Sequence, residues 1–106
     1  MKITNLENAP KVPFKLDGRV MFTSKDNEII HLTLKAGEKL DLHTNPFDVV
    51  FYTLSGEGVL DVEGERLTMK QNDSVAVTKG ILRSWENNST EDLRILVVKI
   101  FNKSSE

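Results

Sequence analysis

The stretch G-E-K-L-D-L-H-T-N-P-F-D-V-V-F-Y-T-L-S-G-E-G, Gly37 to Gly58, decides the fold. Its first half alternates: Leu40 and Leu42 are interleaved with Asp41, His43 and Asn45, a period of two that assigns the three polar side chains to one face of a strand. Pro46, which has no N–H to give a ladder, ends that strand. Its second half, Val49 to Leu54, is β-branched, aromatic or Leu, a composition suited to a pleated, buried surface. Ser55-Gly56-Glu57-Gly58 then supplies a turn.

The same rhythm continues on both sides. Ahead of it, Ile30, Leu32 and Leu34 alternate with His31, Thr33 and Lys35, and Lys25-Asp26-Asn27 marks a turn. Val12 to Ser24 alternates more loosely, with Asp17-Gly18 read as a turn inside it, and residues 1–12 form an arm carrying Ile3 and Leu6. Beyond it, Val59–Val62 returns and Glu63-Gly64-Glu65 turns the chain into Arg66–Met69. Gln71-Asn72-Asp73 turns into Ser74–Val77, Thr78-Lys79-Gly80 leads to Ile81–Glu86, and a polar loop over 87–92 precedes the apolar run Leu93–Phe101. Roughly ten short strands with turn signals about every 8 to 12 residues, and no segment of helical period, predict an all-β sandwich or barrel.

A chain of 106 residues predicts one domain spanning residues 1–106. With 14 Lys and Arg against 16 Asp and Glu, the net charge is -2 and carries no basic footprint for nucleic acid or for an anionic membrane. The apolar runs, Ile95–Val98 among the longest, are far shorter than a membrane span. The first ten residues lack the apolar core of a secretory signal, so a cytoplasmic location is expected. The absence of cysteine removes disulfides, thiolate nucleophiles and thiolate metal ligands together.

The stretch resembles the first motif of a small single-domain cupin, whose pattern is Gly, five residues, His, any residue, His, three or four residues, Glu, six residues, Gly. Gly37, His43 and Gly56 fall on that spacing, while Asn45 stands at the second His position and Val49 at the Glu position. The family's second motif aligns with Asn72, Thr78, Gly80, Arg83 and Asn87, of which Gly80 and Asn87 match. Fifteen residues separate Gly56 from Asn72, the short spacing usual in small bacterial cupins, and the resemblance covers about residues 29–101. It implies a double-stranded β-helix, a jelly-roll barrel with a ligand in its mouth, and commonly a homodimer. The expected dimer contacts are the arm with Ile3 and Leu6 and an exposed strand edge near the N-terminus or at Leu93–Phe101.

In the family pattern three His and one Glu hold a divalent metal, and these positions map onto His43, Asn45, Val49 and Arg83. The resemblance therefore implies that the usual metal site is lost, since a guanidinium repels a divalent cation and the compensating carboxylate is gone. The expected occupant is instead an anionic or sugar-like small molecule bound by Arg83, His43 and Asn45, with Asp41 on the same face and Thr53 and Trp85 on the walls. Val49 and Phe51 should make the floor apolar, and Tyr52 should face outward. Alternatives stay open. Arg83 can pair with Asp41, Asp48 or Glu86; Trp85 can be core filling; His31 can be a surface residue. Metal-free sugar isomerases and epimerases of this superfamily use a His base, a part His43 can take with Asp41 or Asp48 as its orienter. A weak metal site on His43 with Asp41 or Asp48 would restore a metalloenzyme reading.

Overall fold

The computed structural model describes residues 1–101 and is built from nine strands. They are β1 (Asp17–Thr23), β2 (Asn27–Leu34), β3 (Lys39–His43), β4 (Asp48–Ser55), β5 (Glu57–Val62), β6 (Glu65–Lys70), β7 (Ser74–Val77), β8 (Arg83–Glu86) and β9 (Leu93–Ile100). All pairings are antiparallel and form two sheets, one in the order β1-β2-β9-β4-β7 and one in the order β3-β8-β5-β6. The strand rhythm predicted an all-β sandwich or barrel, and the two sheets form the jelly roll that the resemblance implied. No helix of the described residues is long and apolar enough to cross a membrane.

Local chemistry explains the turns. Glu63 and Gly64 both have positive φ, 51° and 89°, and join Val62 to Glu65 in a two-residue hairpin of the hand that matches strand twist. Gly56 combines a φ of 84° with a close approach: a Cβ there would stand 2.3 Å from the carbonyl oxygen of Asp92. Asn87 is buried and fastens three segments. Its Nδ2 donates to the carbonyls of Leu34 and Glu91 at 2.8 and 2.7 Å, and its Oδ1 accepts from the backbone N–H and hydroxyl of Ser89.

Inward positions of both sheets meet in a core of Leu34, Val49, Phe51, Leu60, Trp85, Leu93 and Ile95, each about fully buried. Three sequence expectations are corrected. Asp17-Gly18 opens β1, because the chain reverses earlier, over residues 13–16, and Val12 then packs where a Gly18 Cβ would lie. The run Leu93–Ile100 is no edge: β9 lies between β2 and β4, and its many apolar residues suit a central strand. The outer strands are β1 and β7 in one sheet and β3 and β6 in the other.

The third correction concerns β3. Leu40 pairs with Trp85 and His43 with Arg83, so three steps along β3 oppose two along β8. The extra residue is a β-bulge, and it undoes the alternation. Leu40 and His43 face the same way, whereas Leu42 is 58% exposed and Asp41 is exposed beside it. Asp41, His43 and Asn45 do not share a face as the period of two had required.

Candidate functional site

Above the packed core the barrel is hollow. A partly open cavity of about 150 Å³ is bounded by Ile30 and Leu32 of β2, Leu40 and His43 of β3, Phe51 of β4, and Arg83 of β8. Val97 and Lys99 of β9, Asn45 just after β3, and Val12 and Phe14 from the N-terminal segment complete the wall. The strands deliver these side chains by simple parity: 30 and 32, and 97 and 99, are alternate residues of adjacent strands. A wider groove of about 560 Å³ outside it takes in Lys39, Asp41 and Leu42 and shares Phe14, Leu40 and His43, but it lacks Arg83 and Asn45. The polar chemistry converges on the smaller cavity.

Arg83 is the centre of that chemistry. It is only 4% exposed, and its guanidinium donates to the backbone carbonyl of His43 at 3.2 Å and to Oδ1 of Asn45. No carboxylate of the described residues lies within 4.0 Å of it, since the ion pairs are Arg19 with Asp17, Arg66 with Asp61 and Glu86, and Lys99 with Glu28. Its Nε is buried with no hydrogen-bond partner among the described residues, and its Cζ stands 5.5 Å over the ring centroid of Phe51. Burial pushes the Arg83 pKa below its usual value. A guanidinium stays charged in a protein even so, which leaves a buried positive charge without a carboxylate beside it.

The neighbours are set by the same bonds. Because a guanidinium has only donors, Asn45 must turn its oxygen toward Arg83, and its Nδ2 donors are left for the cavity. His43 Nδ1 stands 2.9 Å from the carbonyl oxygen of Asp41, which can only accept, so the neutral ring carries its proton on Nδ1 and its lone pair on Nε2. The second cation, Lys99, is held 3.3 Å from Glu28 and 5.8 Å from the Phe47 ring centroid.

The other expected residues lie elsewhere. Trp85 is 1% exposed and meets Phe51 edge to face at 5.5 Å, so it fills the core below the cavity. Thr53 is buried two residues beyond Phe51 on the same face, and Asp41 is placed outside by the bulge. The suggested pairing of Arg83 with Asp41 or Glu86 is absent among the described residues, Glu86 being 3.5 Å from Arg66. Of the expected floor, Phe51 lines the cavity, and Val49 is buried without lining it. Tyr52 faces out and donates to Oδ1 of Asn72 at 3.0 Å. His31 also faces away from the cavity: burial, and then the charge of Arg94, holds its pKa below the usual value. Reading strands by period missed Val12 and Phe14, because nothing in a local pattern says that the N-terminal segment reaches the barrel mouth, and it missed Lys99 because the dense apolar run of β9 was not assigned an inward face.

A family model for the cupin domain matches residues 30–99. The chain is a cupin. Solved cupin-fold structures agree over nearly the whole molecule. The protein TT1209 of Thermus thermophilus is 25% identical with a TM-score of 0.79, covering 94% of this chain and 97% of its own. A "predicted oxalate decarboxylase" of Thermotoga maritima is 20% identical with a TM-score of 0.82, covering 93% and 98%. An "RmlC-like cupin" of Shewanella frigidimarina is 12% identical with a TM-score of 0.84, covering 98% and 94%. No curated protein matches.

The family commonly holds a divalent metal, and the residues at its ligand positions in this cupin are His43, Asn45, Val49 and Arg83. They do not fit one. Arg83 brings a positive charge, Val49 is buried hydrocarbon, and the amide oxygen of Asn45 is bound to Arg83. Among the described residues no group of three or more His, Cys, Asp or Glu could hold a metal ion.

Proposed function

We propose that this cupin binds an anionic or sugar-like small molecule in its barrel cavity without a metal. The observation that carries the reading is Arg83: a buried guanidinium at a cavity wall with no carboxylate beside it among the described residues. An uncompensated buried charge is costly, and a bound anion or a set of hydroxyl acceptors offsets that cost. Nδ2 of Asn45 and the His43 ring add directional groups beside it. The test is a thermal-shift screen of small anions and monosaccharides against the protein and its Arg83→Met variant, with metal content measured on untagged protein. Ligand-dependent stabilisation lost in the variant, with no stoichiometric metal, is the expected result. Stoichiometric metal that disappears in His43→Ala would overturn it.

A second reading is a metal-free sugar isomerase or epimerase with His43 as general base. It is favoured by the Nδ1 contact with the Asp41 carbonyl, which leaves Nε2 with its lone pair. The orienting group in that reading is the backbone oxygen of Asp41, in place of the carboxylate of Asp41 or Asp48. Exchange of substrate C–H for solvent deuterium, abolished in His43→Gln with binding retained, would establish it. Self-association through the arm with Ile3 and Leu6 is a separate proposal, supported by Ile3 being 81% exposed while Val12 is already packed on its own barrel. Deletion of residues 1–10 should then lower the sedimentation coefficient and the melting temperature, and no change in either would defeat this proposal.

A further inference from the structure

We propose that the cavity ligand is a monocarboxylate with a short hydrocarbon body, bound with its carboxylate on Arg83 and its carbon chain against the apolar wall. This deepens the small-ligand reading above and rests on it. Three observations narrow the ligand class.

The first is charge. The cavity wall holds two cations, and Lys99 is already matched by Glu28 at 3.3 Å. One buried positive charge remains, at Arg83, and it calls for one negative charge. A phosphate dianion or a dicarboxylate would bring a second charge into a wall that has no further cation for it, and burying an unmatched anion is as costly as burying an unmatched cation.

The second is the distribution of polar groups. Arg83 on β8, His43 on β3 and Asn45 just beyond it lie together, whereas β2 and β4 present Ile30, Leu32 and Phe51, and β9 between them adds Val97 and the Glu28-paired Lys99. A monosaccharide has hydroxyls around its whole ring, and those turned toward Ile30, Leu32 and Phe51 would lose water without gaining a partner. A molecule polar at one end and apolar at the other leaves no such group. The donors available, the remaining guanidinium N–H groups and Nδ2 of Asn45, suit a carboxylate.

The third is size. A volume of about 150 Å³ corresponds to about five water molecules. The space beside Arg83 suits a carboxylate with a few carbons, or one small ring. Phe14, which lines both the cavity and the outer groove, stands where such a molecule would enter.

The experiment is calorimetric titration of the full chain with the straight-chain carboxylates from acetate to octanoate, and in parallel with the matching primary alcohols, inorganic phosphate and glucose. Affinity should rise about fourfold per added methylene until the cavity is filled and then fall. The alcohols should bind far more weakly. Arg83→Gln should abolish the preference for carboxylate over alcohol, and Val97→Ile should shift the optimum to a shorter chain while leaving that preference intact. The second variant keeps the charge and adds one methylene, so it reads the cavity even if Arg83→Gln folds poorly. Phosphate or glucose binding in an Arg83-dependent way, with carboxylates inert, overturns the monocarboxylate class and leaves the small-ligand reading standing. No binding by any of the probes overturns both. Carboxylate binding that is indifferent to chain length or to Val97→Ile places the anion outside the cavity and overturns this proposal alone.

Discussion

One end of this barrel is solid and the other is hollow, though the same strands build both. Strand β8 shows the difference within two residues: Trp85 points into the solid end and Arg83, on the same face, into the hollow one. Phe51 divides them, with the Trp85 ring 5.5 Å away edge to face and the Arg83 guanidinium 5.5 Å from its centroid. At the solid end, Leu34, Leu60, Leu93 and Ile95 from both sheets close the space with hydrocarbon. At the hollow end Arg83, Asn45 and His43 stand across a cavity from Ile30, Leu32 and Val97, with Val12 and Phe14 also on its wall. Alternation chooses which side chains point inward, and side-chain chemistry then makes one end a core and the other a site.

Several substitutions would break or sharpen this contrast. The largest effect is expected from Trp85→Ala, which opens a void in the solid end and should cost about 3 to 5 kcal/mol, read as the loss of denaturant midpoint at unchanged m-value. If that variant were nearly as stable as the parent, the solid end would not be what holds the barrel together. Next is Asn87→Ala, which strands the carbonyls of Leu34 and Glu91; a loss of about 2 to 4 kcal/mol in chemical denaturation is expected.

Smaller effects separate the two ends more finely. Thr53 Oγ1 is buried in the solid end with no hydrogen-bond partner among the described residues, so Thr53→Val should raise stability by about 1 kcal/mol. At the hollow end Arg83→Met should change stability by no more than about 1 kcal/mol, because removing a buried unmatched charge offsets the two acceptors it leaves behind. A large loss of stability there would recast Arg83 as a structural strut.

The smallest effect lies outside both ends. His31 faces Arg19 of β1 across the ladder and lies near Arg94 and Asp17, and its pKa is depressed in the folded state. Its contribution is therefore fully present above the unfolded value of about 6.5 and is lost as pH falls below it. Asp17, whose pKa is lowered first by its bond from Arg19, acts in a separate window and loses its contribution only as pH falls through the ordinary carboxylate range. His31→Gln should flatten the stability curve just below pH 6.5 and leave ligand binding unchanged.

The strands were legible because their signals are local. Alternating apolar residues, the Glu63-Gly64 hairpin and the glycine at 56 each act within a few residues, and eight of the nine strands fall where those signals place them. The candidate site was legible only in part. His43, Asn45 and Arg83 could be named from their spacing, and the structure brings those three together. Asp41 was misplaced because a strict period of two takes no account of the bulge between Leu40 and His43, which exists only in the pairing of β3 with β8, some forty residues away.

By itself, then, the sequence determined that this chain is all-β and which side chains of β2, β4 and β8 face inward, since a strand's parity is a property of consecutive residues. It also named His43, Asn45, Val49 and Arg83 as the residues on the family's ligand spacing, because residue identity at a spaced position needs no coordinates. Only the tertiary structure decided that Arg83 has no carboxylate beside it among the described residues, that Trp85 and Thr53 are buried below the cavity, and that Val12 and Phe14 line the cavity. Those facts depend on contacts between segments far apart in the chain, and a buried charge or a cavity has no meaning until those segments meet.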